Sequence, residues 1–556
     1  MKLWAIPLGL VLLTAAVAEA RPVIFYRGVV NAGSFLTPGL PNGSIARGSI
    51  FSLFGRELGP QDPATVSEFP LNTSLGGAEV EVCRDDDCRA ALPLFVSAGQ
   101  VNAVMPSDAP LGDGLVRVIV DGERGPPHRI RVVESSFGVF SVNTTGYGPG
   151  VIQNVETSTD RPINSTVRTA RPGQIVVLWG TGLGPGLNAD NVPAQQGDLP
   201  VGVEVFVGGV AVTDIRYKGR TSCCSGVDQI IFELPANTPR GCYVPVTVRL
   251  NGMVVSNTVT LAVSDDAGPC RDDFNPVGSA MRRGDRMALL LPSRIDALTD
   301  VLVAEPTNVV TDWFYASIRD EPGGEFFFNP LYSLPPIGSC TTFGSKGDDT
   351  GLAWIGRWTQ GGEALDAGQA LALVSGGEQR EINSLPAAAD IFARLVGRDA
   401  AAGFGESLIF NSGGTAALPG GADVGPINAA FGALRGVDWL DRDELRTVDR
   451  TGSVTVRWSG RDETADLVLI IGAARHEALN AGGQFLCVAE PNSGALTVPA
   501  HVVQALPESP ERAFDAPAEI MAVNANLRNP VQVESEGLDA VYVVSSVARL
   551  KTVVVE

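Results

Sequence analysis

Histidine is scarce in this chain, and its scarcity limits the chemistry that the chain can support. Only His128, His476 and His501 occur among 556 residues. No Cys-x-x-Cys pair accompanies them, so the ligand spacing typical of zinc sites is missing. No Gly-x-Ser-x-Gly motif occurs either, and a serine or cysteine nucleophile needs a base beside it. We therefore expect ordinary surface or hydrogen-bonded histidines, and we predict no catalytic residue, metal ligand or cofactor site.

Long hydrophobic stretches are missing beyond the N-terminus. Lys2 precedes an apolar run from Leu3 to Val17, and Ala18-Glu19-Ala20 follows as a small-x-small cleavage site. This pattern predicts a secretory signal over residues 1–20, with cleavage before Arg21 and cleavage after Ala18 as the alternative. No other window approaches membrane-spanning length. We expect a secreted, extracellular or envelope protein with no integral membrane segment after signal cleavage.

Positive charge is in short supply. The chain has 41 Lys and Arg against 62 Asp and Glu, a net charge of −21, which disfavours nucleic acid and anionic membranes as partners. We expect a solvated acidic surface, and calcium sites are the alternative. None of the acidic clusters has EF-hand spacing; they are Asp85-Asp86-Asp87, Asp348-Asp349, and Asp438 with Asp441-Arg442-Asp443-Glu444.

Glycine and proline are plentiful, and they punctuate short apolar runs. The chain has 64 Gly and 38 Pro, and 44% of its residues are hydrophobic. Alternating runs of about five residues between turn residues indicate β-sandwiches rather than alternating strands and helices. His128 falls in such a strand and His476 in a predicted loop, while His501 falls in a short helix predicted after Pro499.

One phrase occurs twice. Its first copy spans Ala46 to Pro60 and its second Ala170 to Pro185. The shared residues are Gly48/Gly173, Ile50/Ile175, Leu53/Leu178, Gly55/Gly180 and Leu58-Gly59-Pro60/Leu183-Gly184-Pro185. Each copy consists of a turn, a strand and a glycine-rich turn. The run from Gly180 to Gly184 imitates a dinucleotide-binding loop, but Pro185-Gly186 after it is poorly suited to open a helix over a phosphate. We predict a tight turn there.

A second pair of matching strands extends the repeat. Gln100 to Pro106 corresponds to Gln229 to Pro235. The copies are 125 residues apart at the phrase and 129 at these strands, which predicts a duplicated domain.

The wording of the first copy resembles a known family. Gly28 to Phe35 and Phe95 to Ala103, together with the phrase, are similar to tandem IPT/TIG immunoglobulin-like domains in secreted acidobacterial proteins of the Solibacter type. The second copy departs from that wording, with Val227-Asp228 where the first has Ala98-Gly99. The resemblance implies immunoglobulin-like sandwiches with architectural and binding roles, and it brings no catalytic residues.

The predicted fold class is all-β and multidomain. Two IPT/TIG-like sandwiches precede a C-terminal β-sandwich region. The predicted boundaries are 1–20 for the signal peptide, 21–135 and 136–266 for the two IPT/TIG-like sandwiches, 267–286 for a linker, 287–435 for a C-terminal β domain and 436–556 for a terminal sandwich.

Eight cysteines, an even number, in an exported chain predict disulfides. Cys83 and Cys88 flank a loop short enough to bridge across a hairpin. Cys340 and Cys487 would tie distant parts of the C-terminal half.

The other four cysteines form a second group. Neighbouring cysteines bridge each other only with strain. Cys223 and Cys224 are therefore expected to pair outward with Cys242 and Cys270, in one of two ways.

Aromatic residues leave room for a sugar site in the C-terminal half, where Trp354, Trp358, Trp439 and Trp458 all lie. The alternative is that these side chains fill the core. Any two carboxylates can converge for glycoside hydrolysis, so the sequence does not exclude that chemistry.

The sequence favours an exported non-catalytic protein that binds, adheres or scaffolds through its sandwiches. Its expected partner is an extracellular protein or polysaccharide. One alternative is a secreted polysaccharide hydrolase with its active site in the C-terminal half and the sandwich pair as a spacer. Another is a purely structural envelope stalk.

Overall fold

A computed structural model of the chain describes residues 21–301, 305–346, 361–386, 388–398, 409–460, 466–476, 481–509 and 518–556. The predicted signal peptide, Trp354, Trp358 and the pair Asp348-Asp349 lie outside these ranges. Nearly all regular structure in them is β-strand, in several sheets, which confirms the all-β prediction. No helix within these ranges is long and apolar enough to cross a membrane.

Twelve strands build the first sandwich. They are β1 (Val23–Asn31), β2 (Ile45–Ala46), β3 (Ile50–Arg56), β4 (Ala64–Thr65), β5 (Ser74–Leu75), β6 (Ala78–Arg84), β7 (Asp87–Ala90), β8 (Leu92–Val96), β9 (Gln100–Val104), β10 (Gly112–Val120), β11 (Glu123–Arg124) and β12 (His128–Val133). One sheet has the order β1-β3-β9-β8-β4, and the other has β2-β12-β10-β6-β5 with β7 and β11 attached. Alternate residues face inward, so Phe51 and Leu53 of one sheet share a buried core with Val80 and Val116 of the other.

Ten strands build the second sandwich. They are β13 (Gly138–Val139), β14 (Ile152–Asn154), β15 (Ile175–Thr181), β16 (Val203–Val207), β17 (Val210–Ala211), β18 (Ile215–Arg220), β19 (Asp228–Glu233), β20 (Gly241–Leu250), β21 (Val254–Val255) and β22 (Val259–Val263). One sheet has the order β13-β15-β19-β18 and the other β17-β16-β20-β21. Leu178 and Phe232 of the first sheet pack with Val205 and Val246 of the second.

The two sandwiches repeat the same strand register. Leu53 of β3 is opposite Val101 of β9, and Leu178 of β15 is opposite Ile230 of β19. These are the positions that the sequence offsets equate. The repeat is therefore present both in the sequence and in the strand pairing. Each copy of the phrase supplies a strand at the same position in its sheet.

A helix lies where the sequence predicted a linker over residues 267–286. Helix α1 (Pro276–Arg283) begins after Asn275, whose side chain accepts a hydrogen bond from the Gly278 amide, and ends at Gly284 in the left-handed conformation. An asparagine cap, an initial proline and a terminal glycine are sequence signals for a helix. The linker prediction did not include this helix, which packs Val277 and Met281 into the core.

The C-terminal half is built on one large sheet. Its strands are β23 (Arg286–Thr299), β24 (Thr307–Asp320), β25 (Cys340–Lys346), β26 (Glu363–Ala364), β27 (Ala370–Ser375), β28 (Glu378–Leu385), β29 (Ala388–Arg398), β30 (Gly414–Leu418), β31 (Ile427–Phe431), β33 (Thr447–Val448), β35 (Leu467–His476), β36 (Ala481–Ala489), β38 (Ala518–Ala525), β39 (Val531–Val533), β40 (Ala540–Val543) and β41 (Ser546–Val555). A three-stranded sheet covers part of it, formed by β32 (Asp438–Trp439), β34 (Val454–Ser459) and β37 (Ala495–Val498). A 3₁₀ helix (Pro491–Ser493) and the short helix α2 (Ala500–Val503) complete the half.

The large sheet is buried on both faces. In β35, Val468 and Ile470 point into one core, while Leu469 and Ile471 point into another. This explains why the strand is a continuous apolar run rather than an alternating one. The sheet also crosses the boundary predicted at 435/436, because β23 pairs in parallel with β41.

Four disulfides connect all eight cysteines. Cys83–Cys88 bridges the β6–β7 hairpin and Cys340–Cys487 joins β25 to β36, as predicted.

The outward pairing predicted for the other four cysteines was wrong. Cys223 bonds to Cys224, and Cys242 bonds to Cys270. The β18–β19 loop holds Cys223 and Cys224 at exposed positions. Cys242 and Cys270 are buried with their Cα atoms 5.2 Å apart, so the exposed pair does not reach them.

The three parts of the molecule contact one another. The hydroxyl groups of Thr258 and Thr342 lie 2.6 Å apart, and the ring of Phe206 stacks on His501 with centroids 4.2 Å apart. From the first sandwich, Asn42 donates to the carbonyl oxygen of Val255. Both sandwiches and the C-terminal half therefore meet through specific side-chain contacts.

Candidate functional site

A bulge in the first strand shapes an open cleft of the first sandwich. β1 pairs with β3 at Ile24↔Gly55 and resumes at Val29↔Leu53, so the four residues from Phe25 to Gly28 are opposite one. Arg27 adopts a positive φ of 59°, a conformation that non-glycine residues adopt rarely and that often marks functional sites. A Cβ at Gly28 would collide with the carbonyl oxygens of Phe25 and Phe54, so the bulge requires glycine there.

The bulge forms one wall of a cleft of about 1000 Å³. The opposite walls are strands β10 and β12 and the loop from Pro38 to Ile45. The polar and aromatic lining consists of Tyr26, Arg27, Ser44, Asp85, Asp113, His128, Arg129 and Arg131. This volume is in the range of small-molecule and oligomer sites.

Tyr26 presents its ring to solvent at the edge of the cleft. Its side chain is 75% exposed, and neighbouring Phe25 is 51% exposed. The guanidinium carbon of Arg27 lies 5.0 Å from the centroid of the Tyr26 ring, within the range of cation–π attraction. Nη1 of Arg27 is buried and has no hydrogen-bond partner among the described residues.

His128 is held by two hydrogen bonds in the cleft wall. Its Nδ1 lies 2.9 Å from the carbonyl oxygen of Arg129, and its Nε2 accepts from the Arg27 amide at 3.2 Å. A carbonyl contact makes Nδ1 the donor, so Nε2 is the acceptor of a neutral imidazole. The prediction that His128 lies in an alternating strand is confirmed, and its role here is to fix the bulge.

The charges of the cleft are unevenly paired. Arg131 forms an ion pair with Asp113 at 3.1 Å, and both are exposed. Arg129 is also exposed, and its side chain forms no ion pair or hydrogen bond with the described residues. Three arginines thus face two carboxylates, Asp85 and Asp113, in a chain of net charge −21.

The glycine-rich turn of the second phrase copy is a structural turn, as predicted. The buried carboxylate of Asp228 accepts hydrogen bonds from the amides of Gly182 and Leu183 at 2.7 and 2.8 Å. The amides that a phosphate would need are therefore occupied. Asp228 is also the residue by which the second copy departs from the wording of the first, where Gly99 stands, so its side chain explains that departure.

In each acidic cluster that the structure describes, at least one carboxylate pairs with an arginine. Asp87 pairs with Arg89, and Asp441 pairs with Arg457 at 2.9 Å. Within the described ranges, one group of three potential metal ligands lies close enough to share an ion, namely Glu81 with Cys83 and Cys88. Those two sulfurs are bonded to each other, so they are not available as thiolate ligands.

Of the four tryptophans named as a candidate sugar site, the two that the structure describes belong to the core, whereas Trp313 of β24 is 41% exposed. Trp439 and Trp458 are buried together with Val456, so neither is an exposed sugar platform.

His476, predicted in a loop, is instead the last residue of β35 and pairs with Ala481. That prediction was wrong because the apolar run before it continues as strand to its end.

His501 lies in the predicted short helix, α2. It is buried against Phe206 of the second sandwich. Burial and the nearby Arg249 lower its pKa to about 4, while Glu204 acts in the opposite direction. A neutral, buried and stacked imidazole indicates a packing role.

Glu321 is a carboxyl group whose environment resembles that of a general acid. Burial raises its pKa to about 7, and Asp320 and Asp390 add to the shift while Arg319 opposes it. Its cavity, which it shares with Tyr332, has a volume of about 10 Å³. That is roughly the room for one water molecule, so the cavity does not admit a sugar ring.

No family model matches this chain, and no curated protein matches it. Among solved structures it is similar to domains 5-6 of the S-layer protein SbsC, with 14% identity, 44% of this chain and 99% of that chain covered, and a TM-score of 0.16. It is also similar to SGBP-B of the Bacteroides ovatus mixed-linkage glucan utilization locus, solved with a mixed-linkage heptasaccharide, with 9% identity, coverages of 84% and 94%, and a TM-score of 0.13. At these TM-scores neither likeness carries an argument about partner or activity.

The residues of the cleft were missed by sequence reasoning. The sequence from Val23 to Tyr26 alone is typical of a plain strand. A glycine inside a strand pattern, here Gly28, is a signal for a bulge, and it points to the segment that carries Tyr26 and Arg27. No local signal connects this segment with Arg129, which lies more than a hundred positions later in the sequence.

Proposed function

We propose that this protein is an exported, non-catalytic binding protein that holds an extracellular partner in the cleft of the first sandwich. The cleft carries this proposal, because an exposed ring at Tyr26 lies beside several polar groups in a volume of about 1000 Å³. An aromatic surface with a few convergent polar groups is typical of ligand sites. Four disulfides support an oxidising, extracellular location.

The predicted architecture is part of the proposal. Residues 21–135 and 136–266 are proposed as two IPT/TIG-like domains, and their equal strand register supports a duplication. The specific contacts among the two sandwiches and the C-terminal half support a single body in which the cleft keeps a fixed orientation. The stalk alternative has no need for an exposed aromatic cleft, and the hydrolase alternative gains no support from the closed cavity at Glu321.

Titration of the full secreted chain with defined oligosaccharides and purified extracellular proteins tests this function. We expect at least one ligand to bind, and Tyr26→Ala to weaken that binding at least tenfold, because it removes the exposed ring. Met253→Ala is the matched control, since Met253 is 77% exposed in the second sandwich and lies outside the cleft. Unchanged binding by the Tyr26 variant would contradict the proposed site.

A further inference from the structure

We infer that the partner held by the cleft is an acidic glycan, whose sugar carboxylates contact Arg27 and Arg129. This inference rests on the proposed function and adds the chemical class of the ligand. It follows from three features of the cleft: unpaired guanidinium groups, an exposed aromatic ring and neighbouring carboxylates.

Unpaired arginines are the first feature. Nη1 of Arg27 is buried without a partner, and a buried donor without a hydrogen bond costs about 1–3 kcal/mol. Arg129 stands exposed on the adjacent wall without an ion pair in the described part of the chain. The guanidinium fork matches the two oxygens of a carboxylate. A ligand carboxylate would therefore satisfy the guanidinium of Arg129, which the protein leaves open, beside the positive charge of Arg27.

The excess of acidic residues in the chain makes arginines without an ion pair unexpected. With 62 acidic against 41 basic residues, arginine side chains have many carboxylates available as partners. Arg131 has taken one, Asp113, whereas Arg27 and Arg129 have not. At ordinary salt the attraction of surface charges extends over about 10 Å, so the local excess in the cleft acts on a ligand more than the distant negative surface does.

The exposed ring is the second feature. Tyr26 is 75% exposed, and Arg27 lies over one part of its ring. The face of an aromatic ring carries partial negative charge, and it attracts the weakly positive C–H groups on the flat side of a sugar. If a pyranose ring stacks on Tyr26, its carboxylate lies within reach of Arg27.

The carboxylates of the cleft favour a glycan over an acidic peptide. Asp85 and Asp113 line the same cleft as the arginines, and carboxylates accept hydrogen bonds from hydroxyl groups. Sugar hydroxyls supply such donors at every residue. A run of Asp or Glu side chains supplies no such donor.

The test compares matched charged and neutral ligands by calorimetry on the full secreted chain. The charged probes are hexasaccharides of galacturonate and of alginate, and the neutral probes are the same oligomers with their carboxyl groups reduced to alcohols. We expect at least tenfold tighter binding of a charged hexasaccharide than of its reduced form, with a difference that shrinks as salt rises.

Variants locate the effect. Arg129→Gln is expected to weaken the charged probe about tenfold and to leave the reduced probe unchanged, because Arg129 is exposed and its removal leaves the fold intact. Arg27→Gln is expected to act in the same direction. Arg161→Gln, at an exposed arginine of the second sandwich, is the control and should bind like the parent.

Each other outcome overturns the inference in a distinguishable way. Equal binding of charged and reduced probes, both lost in Tyr26→Ala, would refute the acidic ligand and leave the proposed cleft in place. Tighter binding of hexaglutamate than of either charged hexasaccharide would replace the glycan by an acidic peptide. If no charged hexasaccharide binds, the inference is refuted. The proposed function is then decided by the titration with the other oligosaccharides and extracellular proteins.

Discussion

Single residues of the repeated phrase are constrained for different physical reasons. Gly173 has a φ of 79°, and a Cβ added there would meet no atom within 4 Å. Gly180 has no such φ, but its Cβ would lie 2.5 Å from the carbonyl oxygen of Gly138 on the neighbouring strand. The first glycine is needed for backbone conformation, and the second for the close approach of two strands.

This difference predicts unequal costs for the same substitution. Gly173→Ala should lower the free energy of unfolding by about 1–2 kcal/mol, the cost of a left-handed alanine. Gly180→Ala should lower it by about 3 kcal/mol, because a backbone oxygen in a sheet cannot move aside. Urea unfolding of both variants measures the difference. Equal losses would contradict the assignment of the two roles.

His501 predicts a pH dependence at the level of one side chain. Its folded pKa of about 4 is below the unfolded value of 6.5, so the unfolded chain binds the proton more readily. The stabilising contribution is therefore complete above about pH 6.5 and is lost as pH falls toward 4. Arg249 disfavours and Glu204 favours the protonated form, and both lie on the second sandwich.

Replacement by a residue that does not titrate isolates this contribution. The difference in unfolding free energy between the parent and His501→Phe should change by at most about 3 kcal/mol between pH 7 and pH 4. Phenylalanine keeps the stack on Phe206 and does not titrate. Thermal unfolding across this pH range measures it, and parallel pH profiles for the two proteins would argue against a buried neutral imidazole.

At the scale of elements, local pattern predicted strands well and their partners poorly. Alternation in β12 and the repeated phrase identified strands that the structure contains. The pairing of β23 with β41 has no local signal, because the two strands lie at opposite ends of the C-terminal half and their partners are chosen by tertiary packing. The same reason hid the cleft, whose walls come from the β1 bulge, a loop and β12. Helix α1 was predictable from its caps and was missed because its apolar residues are few.

The four disulfides differ in the length of chain that they close. Cys340 and Cys487 are 147 positions apart, while Cys223 and Cys224 are adjacent. Because a crosslink restricts the unfolded chain more when its loop is longer, replacing the first pair by serine should cost about 3–5 kcal/mol. Replacing the second should cost under about 1 kcal/mol. Denaturation of the two double variants checks this, and a larger loss from the exposed pair would contradict it.

At the scale of the whole molecule, one arginine joins the two copies of the phrase. Nη2 of Arg220 donates to the carbonyl oxygens of Gly48 and Gly184, at 2.6 Å each. Its Nη1 forms a buried ion pair with Asp228, which in turn holds the turn from Gly182 to Leu183. The Ile50 amide adds a bond to the Thr181 hydroxyl at 2.7 Å. The repeat that organises each sandwich therefore also forms the joint between them.

Breaking this joint should loosen the sandwiches from each other. Arg220→Met leaves the Asp228 carboxylate buried without its cation, at a cost of about 3–5 kcal/mol. We expect faster proteolysis between the sandwiches and a larger radius of gyration in solution scattering. Arg216→Ala is the control, because its ion pairs are exposed and contribute about 0–1 kcal/mol. A variant that stays as compact as the control would show that the joint does not depend on Arg220.

The disulfide between Cys340 and Cys487 gives the chain a mechanical property. When the protein is pulled from its two ends, force passes through the sulfur–sulfur bond and bypasses the 147 positions that it spans. At about 3.5 Å per extended residue, roughly 500 Å of chain stays unavailable for stretching until the bond is reduced. When an oxidised molecule is held at one end and pulled at the other, its unfolding should therefore lengthen the chain in shorter steps than in a reduced molecule. Single-molecule stretching with and without reductant measures this difference.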